Sequence, residues 1–332
     1  MTWVTGLTDG PRPTPHVPGS VRDVPPPTGA DLDAAWDVVA AQLPPTPVLP
    51  PGEGGPALKL ESAQPTGSFK VRGALAALAR IPRDTPVVTA SAGNHALGIA
   101  FAAGSFGHRA TVVTATRASP AKVAAIRAHD VELVQVGTSY DDAEAHALAL
   151  AAGGARFVSA YNDGEVIAGQ ATLGRELEAQ LAGPVTVICP VGGGGLVAGV
   201  GLWGSGRPDV RVVGVEAANN PVISAAVRAG RVVDVELRDT IADGMAGGVE
   251  PGTVTVPIVA DTVDQLVSVT EPEIRAAMRW LVLSRGIVAE GAGAAATAAV
   301  LAGKVDAQGT PVAVVTGRNI TADRLAQVLT ER

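Results

Sequence analysis

Between Val87 and Ala160 short β-branched apolar runs alternate with helical stretches, and this alternation constrains the fold more than any other feature. Val87-Val88-Thr89 precedes a helix over 94–104, Ala110-Thr111-Val112-Val113 one over 119–129, and Glu132-Leu133-Val134-Gln135-Val136 one over 139–152, before Ala155-Arg156-Phe157-Val158 closes the series. Parallel strands need long crossovers, and those crossovers are right-handed, so a small parallel sheet covered by helices is expected here.

Similar signals flank this segment. Asp31 to Leu43 carries apolar residues at helical spacing (Leu32, Trp36, Val39, Leu43) and is stopped by Pro44-Pro45. Thr46-Pro47-Val48-Leu49 and Ala57-Leu58-Lys59-Leu60-Glu61 read as short strands, followed by a helix over 71–80. After Asn162 come a helix through Gly169 to Leu177, and strands at Val185 to Cys189, Val210 to Glu216, Leu266 to Val269 and Val312 to Val315. Glu271-Pro272-Glu273 places acids and proline in the first turn of another helix. Alanine, glycine and valine dominate the apolar residues while aromatics are 3%, a composition that suits helices packed closely on sheets. Residues 1–30, with Pro11, Pro13, Pro15, Pro18 and Pro25-Pro26-Pro27, read as an extended or disordered arm, free or packed on a neighbouring chain.

The net charge of −7 offers no basic footprint for nucleic acid. Cys189 is the only cysteine, which precludes an intrachain disulfide and fits a reducing compartment; its apolar strand context makes it a core residue. Neither a leader-like N-terminus nor a bilayer-length apolar run is present, so no membrane partner and a cytoplasmic location are expected.

Three loops carry chemistry. Pro65-Thr66-Gly67 is turn-forming and precedes the 71–80 helix, so Lys70 lies where a loop enters a helix, among Phe69, Val71 and small residues. Partial desolvation there lowers the proton affinity of an amine, as attack on a carbonyl requires. Gly192, Gly193, Gly194 and Gly195, followed by Leu196, join a strand to a helix N-terminus. Such a loop lets backbone N–H groups converge on phosphate, and it fits neither dinucleotide nor P-loop spacing. Ser91-Ala92-Gly93-Asn94-His95 also follows a strand and opens a helix, offering amides to a carboxylate and the Asn94 amide to a phenolate-like oxygen. A lysine-bound, phosphorylated aldehyde would need all three.

Ser68-Phe69-Lys70-Val71-Arg72-Gly73-Ala74, Ser91-Ala92-Gly93-Asn94-His95 and Gly192-Gly193-Gly194-Gly195-Leu196 together resemble the serine/threonine dehydratase family of pyridoxal-phosphate (PLP) enzymes, in the family's order. Thr240-Ile241-Ala242-Asp243-Gly244, and Asn162 with Val166 to Gln170, extend the likeness over roughly residues 30–330. The resemblance implies an α/β fold of type II, with two open twisted sheets flanked by helices and the cofactor between a large domain (31–83 and 161–332) and a small one (84–160). It also implies a homodimer that converts an L-β-hydroxy amino acid such as threonine or serine, by β-elimination, to a 2-keto acid and ammonia. Lys70 would hold PLP and act as the catalytic base. Phe69, Asn94, Asn162, Gly192 to Gly195, Leu196 and Thr316 would bind the cofactor, and Ser91 to His95 the substrate.

Thr316 matches the position facing the pyridine nitrogen, where a neutral hydroxyl favours elimination over transamination. Thr316 and Arg318 depart from the family's usual Ser-Gly-Gly-Asn. Glu216 resembles the first acid of a divalent-cation site, but the second carboxylate is replaced by Asn219-Asn220-Pro221-Val222, and no metal is expected. Glu290 stands in Ala289-Glu290-Gly291, where Glu-Pro is commoner. The chain ends at Arg332, soon after the last strand and a short helix, so a C-terminal effector domain and inhibition by isoleucine are not expected. The alternatives are a β-replacement synthase and a non-catalytic cofactor-binding homologue.

In racemases similar to this family a serine matches Ala92, and its hydroxyl exchanges a proton on the cofactor face opposite the lysine. Alanine has no such proton, so elimination with little D-product is expected from L-serine. Ala92→Ser should raise the ratio of D-serine to pyruvate, read by chiral chromatography; an unchanged ratio would assign the opposite face to another group.

Overall fold

Thr28 opens the first helix because its hydroxyl accepts the Asp31 N–H while the Asp31 carboxylate accepts the Thr28 N–H, a reciprocal cap. The structure, a computed structural model, describes residues 22–52 and 54–331. Pro11, Pro13, Pro15 and Pro18 of the expected arm lie outside the described residues, and residues 22–28 reach the first helix without regular structure.

In chain order the helices are α1 (Gly29–Gln42), α2 (Lys70–Ala79), α3 (Asn94–Phe106), α4 (Pro120–Arg127), α5 (Tyr140–Ala152), α6 (Gly164–Gln180), α7 (Gly195–Gly204), α8 (Val222–Ala229), α9 (Thr255–Thr262), α10 (Glu271–Arg285), α11 (Gly291–Leu301) and α12 (Ala322–Thr330). The strands are β1 (Val48–Leu49), β2 (Ala57–Lys59), β3 (Val87–Ala90), β4 (Ala110–Thr114), β5 (Glu132–Gln135), β6 (Arg156–Phe157), β7 (Val185–Pro190), β8 (Val210–Ala217), β9 (Gln265–Val269) and β10 (Thr310–Val314).

The alternating segment forms a parallel sheet in the order β5-β4-β3-β6, as its periodicity predicts. The remaining strands form a second sheet, β1-β2-β10-β7-β8-β9, parallel except for the β1–β2 edge. These two sheets flanked by helices are the expected fold class. β7 lies at the middle of the larger sheet and is buried along its whole length, and a strand covered on both faces reads as an unbroken apolar run. Two helices the sequence did not signal, α8 and α9, pack beside α7 against this sheet.

Small residues set the spacing between helices. A Cβ added to Gly169 of α6 would stand 2.6 Å from the Gly73 Cα of α2, and one on Gly199 of α7 would stand 2.5 Å from the Ile167 carbonyl of α6. Backbones this close exclude any side chain at the crossings, which is the structural meaning of the alanine- and glycine-rich composition. No helix among the described residues is long and apolar enough to cross a membrane.

Beneath α2 lies a buried ionic cluster. Arg72, fully buried, donates to both Glu61 oxygens at 2.7 and 2.8 Å and stands 2.6 Å from Glu176. Lys59 pairs with Glu176 at 2.5 Å, and the Thr46 hydroxyl donates to Glu61 at 2.6 Å. Two cations and two carboxylates balance. Burial alone pushes the Glu61 carboxyl up, but the charge and hydrogen bonds of Arg72 outweigh it and hold the carboxyl below its ordinary value. The Glu61 contribution to stability is therefore present above the ordinary carboxylate range and is lost as pH falls through the lowered folded value.

Arg72→Met leaves two buried carboxylates facing one lysine. The expected loss is about 3–5 kcal/mol of unfolding free energy, measured by denaturant titration at neutral pH.

Candidate active site

The glycine loop follows the carboxyl end of β7, residues 315–319 follow that of β10, and residues 91–94 follow that of β3 in the smaller sheet. Ligands of open α/β sheets bind at such edges. Hydrogen bonds join the lysine loop, the 91–94 loop and the end of β10. The Phe69 N–H donates to the Thr316 carbonyl at 3.0 Å, Ser68 forms a bridge with Gly317, and the Arg318 N–H donates to Gly67 O at 2.9 Å. These bonds tie the lysine loop to the end of β10.

Lys70 begins α2, as the turn chemistry before it predicts. Its Nζ donates to the Ala160 carbonyl at 2.7 Å and lies 5.0 Å from the centroid of the Phe69 ring. Burial pulls the ammonium down to about 8. A substantial neutral fraction near physiological pH is the property a nucleophilic amine requires.

Gly194 has φ +87°, a conformation that favours glycine, and α7 begins at Gly195. The loop has no room for side chains. A Cβ on Gly192 would lie 3.0 Å from the Gly244 carbonyl, and one on Gly193 would enter the Tyr161 ring. The result is a concave run of bare backbone at a helix N-terminus, suited to a phosphate. Leu196 sends its side chain into the core of the larger sheet.

In the 91–95 loop the Ser91 hydroxyl accepts the Gly93 N–H at 3.1 Å, shaping the turn through Ala92 that delivers Asn94 as the first residue of α3. The Asn94 amide donates to Glu290 at 2.6 Å and accepts from Asn319 at 2.7 Å. Glu290 stands at the N-terminus of α11; burial pushes its carboxyl up to about 7, against the bond from Asn94 and the charge of Lys122. His95 is buried with Nε2 3.1 Å from Val158 O, and burial, reinforced by the charge of Lys70, pushes it down to about 3. It is therefore neutral at physiological pH and packs as a structural residue.

Thr316 is buried beside the lysine loop with its hydroxyl 3.4 Å from Ala292 O. Asn162 is fully buried, and its Oδ1 accepts the Val254 N–H at 3.0 Å. The aromatic neighbour Tyr161, which sequence reasoning passed over, is the side chain that lies against the glycine loop. The chain has only two tyrosines, and that scarcity is the one signal the sequence offers, since the Lys70–Ala160 bond beside Tyr161 is a contact across 90 residues. Glu216 is occupied elsewhere: its two oxygens accept the Ile223 and Ser224 N–H groups at 2.7 and 3.1 Å, capping α8. Among the described residues no group of acids, histidines and cysteine is arranged to hold a metal ion.

The side-chain-free glycine cradle, the partly desolvated Lys70 amine and, two residues before it, the buried Ser68 hydroxyl, which has no partner among the described residues, fit a phosphorylated aldehyde. Fold and site together define a pyridoxal-phosphate dependent enzyme, and the model of that family matches residues 42–317: the chain belongs to it. Its relatives are more particular. The L-threonine ammonia-lyase of Thermotoga maritima is 42% identical over 278 residues, covering 82% of this chain and 69% of that protein. The processed form of threonine deaminase isoform 2 from Solanum lycopersicum superposes with a TM-score of 0.82 at 30% identity, over 96% of this chain and 99% of that one. Maize serine racemase gives a TM-score of 0.82 at 26% identity, over 90% and 95% of the two chains.

If Lys70 is the amine that takes PLP, its lowered value sets the pH dependence of cofactor capture. Below about 8 the ammonium form cannot attack an aldehyde, so the rate at which cofactor-free protein captures PLP should rise roughly tenfold per pH unit and level off above that value. Stopped-flow absorbance reads this rate, and Lys70→Ala should abolish the change.

Proposed function

We propose that the protein is a PLP-dependent ammonia-lyase that converts an L-β-hydroxy amino acid, threonine or serine, to a 2-keto acid and ammonia. The observation that carries the reading is the partly buried Lys70 amine, held at 2.7 Å by Ala160 O beside Tyr161 and the glycine loop. The threonine ammonia-lyase and threonine deaminase relatives support it.

When bound, the cofactor supplies a covalent handle for the amino group and an electron sink for the Cα carbanion. The remaining work falls to the chain. The amides at the start of α3, exposed by the Ser91–Gly93 turn, receive the substrate carboxylate and set which Cα bond faces Lys70. Phe69, beside the Lys70 ammonium, would flank the cofactor, and the amides of Gly192 to Leu196 would hold its phosphate. Asn94, oriented from both sides by Glu290 and Asn319, presents its second amide hydrogen to the ring oxygen. Lys70, once released, takes the Cα proton and returns a proton to the departing β-hydroxyl. Thr316 would offer the ring nitrogen a neutral hydroxyl in place of a carboxylate, a partner that does not hold it protonated. Water lost in elimination is regained in hydrolysis, so the net products are keto acid and ammonia.

The proposal includes a division into a large part (31–83 and 161–332) and a small part (84–160). Its support is that β3 to β6 fall within the second range and the other strands outside it. It also includes a homodimer in the cytoplasm; the exposed Leu283 of α10, at 75% accessibility, supports burial against a second copy.

Release of ammonia and keto acid from a panel of L-serine, L-threonine and bulkier or acidic β-hydroxy amino acids tests the activity. Turnover of threonine or serine is expected, lost in Lys70→Ala. A chain that binds PLP on Lys70 but turns over none of the panel, or does so only when a second nucleophile is added, would overturn the assignment.

A further inference from the structure

Arg22 lies upstream of the residues that match the family, 42–317, yet its guanidinium reaches both segments that cover the glycine loop. Nε and Nη2 donate to the two Glu250 oxygens at 2.9 and 2.5 Å, Nη2 also donates to the Asn162 carbonyl at 3.1 Å, and the group lies 4.9 Å from the centroid of the Phe157 ring. A planar fork that also stacks on a ring is arginine chemistry, which a lysine cannot reproduce. The pair is not a free surface bridge, since the two side chains are 20% and 16% exposed.

Each segment is tied to the loop beneath it. The Glu250 N–H donates to the Tyr161 hydroxyl at 2.9 Å, and the Tyr161 ring lies where a Gly193 side chain would be. Farther along, the Val254 N–H donates to Asn162 Oδ1 at 3.0 Å, and the Thr255 hydroxyl donates to the Gly193 carbonyl at 2.8 Å. Residues 161–162 and 250–255 thus form a cover over the glycine loop, and Arg22 joins the two from outside.

We infer that Arg22 is a positioning residue for cofactor retention, clamping these segments so that Tyr161 stays seated over the phosphate-binding loop. The inference rests on the reading that PLP seats its phosphate at Gly192 to Gly195. An ordered cover lowers the reorganisation needed to bind and must open for release, so weakening the clamp acts mainly on the rate of release.

The test compares PLP dissociation constants and release rates, from spectral titration and dilution, for the wild type, Arg22→Met, Arg22→Lys, Tyr161→Phe and the Arg22→Met/Tyr161→Phe double variant. Arg22→Met is expected to raise the dissociation constant roughly tenfold through faster release, with Arg22→Lys in between. The double variant should lose less than the product of the single losses, because both residues act through Glu250. Should Arg22→Met fail to fold, Glu250→Gln carries the same test at nearly unchanged volume. Unchanged affinity and release in the clamp variants, or multiplicative losses in the double variant, would overturn the clamp. Failure of borohydride to fix PLP on Lys70 in the wild type would instead overturn the functional reading beneath it.

Discussion

The ion cluster of Arg72, Glu61, Glu176 and Lys59 is the interaction on which the placement of the site depends. Charges this deeply buried persist only when geometry and hydrogen bonding offset their desolvation, and here each carboxylate meets a cation at 2.5 to 2.7 Å. Arg72 stands two residues beyond Lys70 on α2, Glu61 lies in the turn after β2, and Glu176 lies on α6. The fork of Arg72 therefore fixes the rotation of α2 about its axis, and Lys70 at the head of that helix inherits its direction. A shifted helix would leave carboxylates unpaired in the core, which is a stronger penalty than loss of any apolar contact nearby.

The same helix connects this anchor to the edges where the loops meet. Phe69 and Ser68 are bonded to the strand end at Thr316 and Gly317, so the lysine loop behaves as an extension of the β10 ladder. Tyr161 joins the lysine acceptor Ala160 to the glycine loop after β7. The cofactor end of the site is thus held by backbone bonds to the stable centre of the larger sheet, while side chains supply the chemistry.

The parts of this arrangement that were legible in the sequence are those written in local chemistry. Four consecutive glycines, a lysine after turn residues and strand-to-helix alternation each report on a few neighbouring residues, and each lies where its pattern placed it. What could not be read depends on contacts across long separations. Arg22 meets Glu250 across 228 residues and Asn94 meets Glu290 across 196, and neither pair leaves a periodic or compositional trace. Tyr161 illustrates the limit at short range: its neighbour Asn162 is marked by the family resemblance, whereas nothing in the local pattern shows that the tyrosine ring lies against the glycine loop. Glu216, where the missing second carboxylate already argues against a metal, has partners that the sequence does not show. A carboxylate at the end of a buried strand resembles a metal ligand, yet the free N–H groups at the start of α8 already satisfy both of its oxygens.

The 91–95 loop belongs to the smaller sheet, so its alignment with Lys70 needs a separate cause, and that cause is a backbone contact. α3 lies against α2 so closely that a Cβ on Gly98 would stand 3.0 Å from the Lys70 carbonyl and 3.2 Å from the Val71 nitrogen. Glycine at 98 lets the helix that opens at Asn94 rest directly on the first turn of the helix that carries the Lys70 amine. The separation between the start of α3 and Lys70 is then set by two main chains in contact, with no flexible side chain between them; under the proposed function this is the separation between substrate carboxylate and base. Asn94 and its partners Glu290 and Asn319 close the other side of the loop onto α11 and the end of β10. A reaction that must choose one Cα bond among three needs this alignment more than it needs extra binding energy, because an error of about 1 Å in placement can cost on the order of a hundredfold in rate.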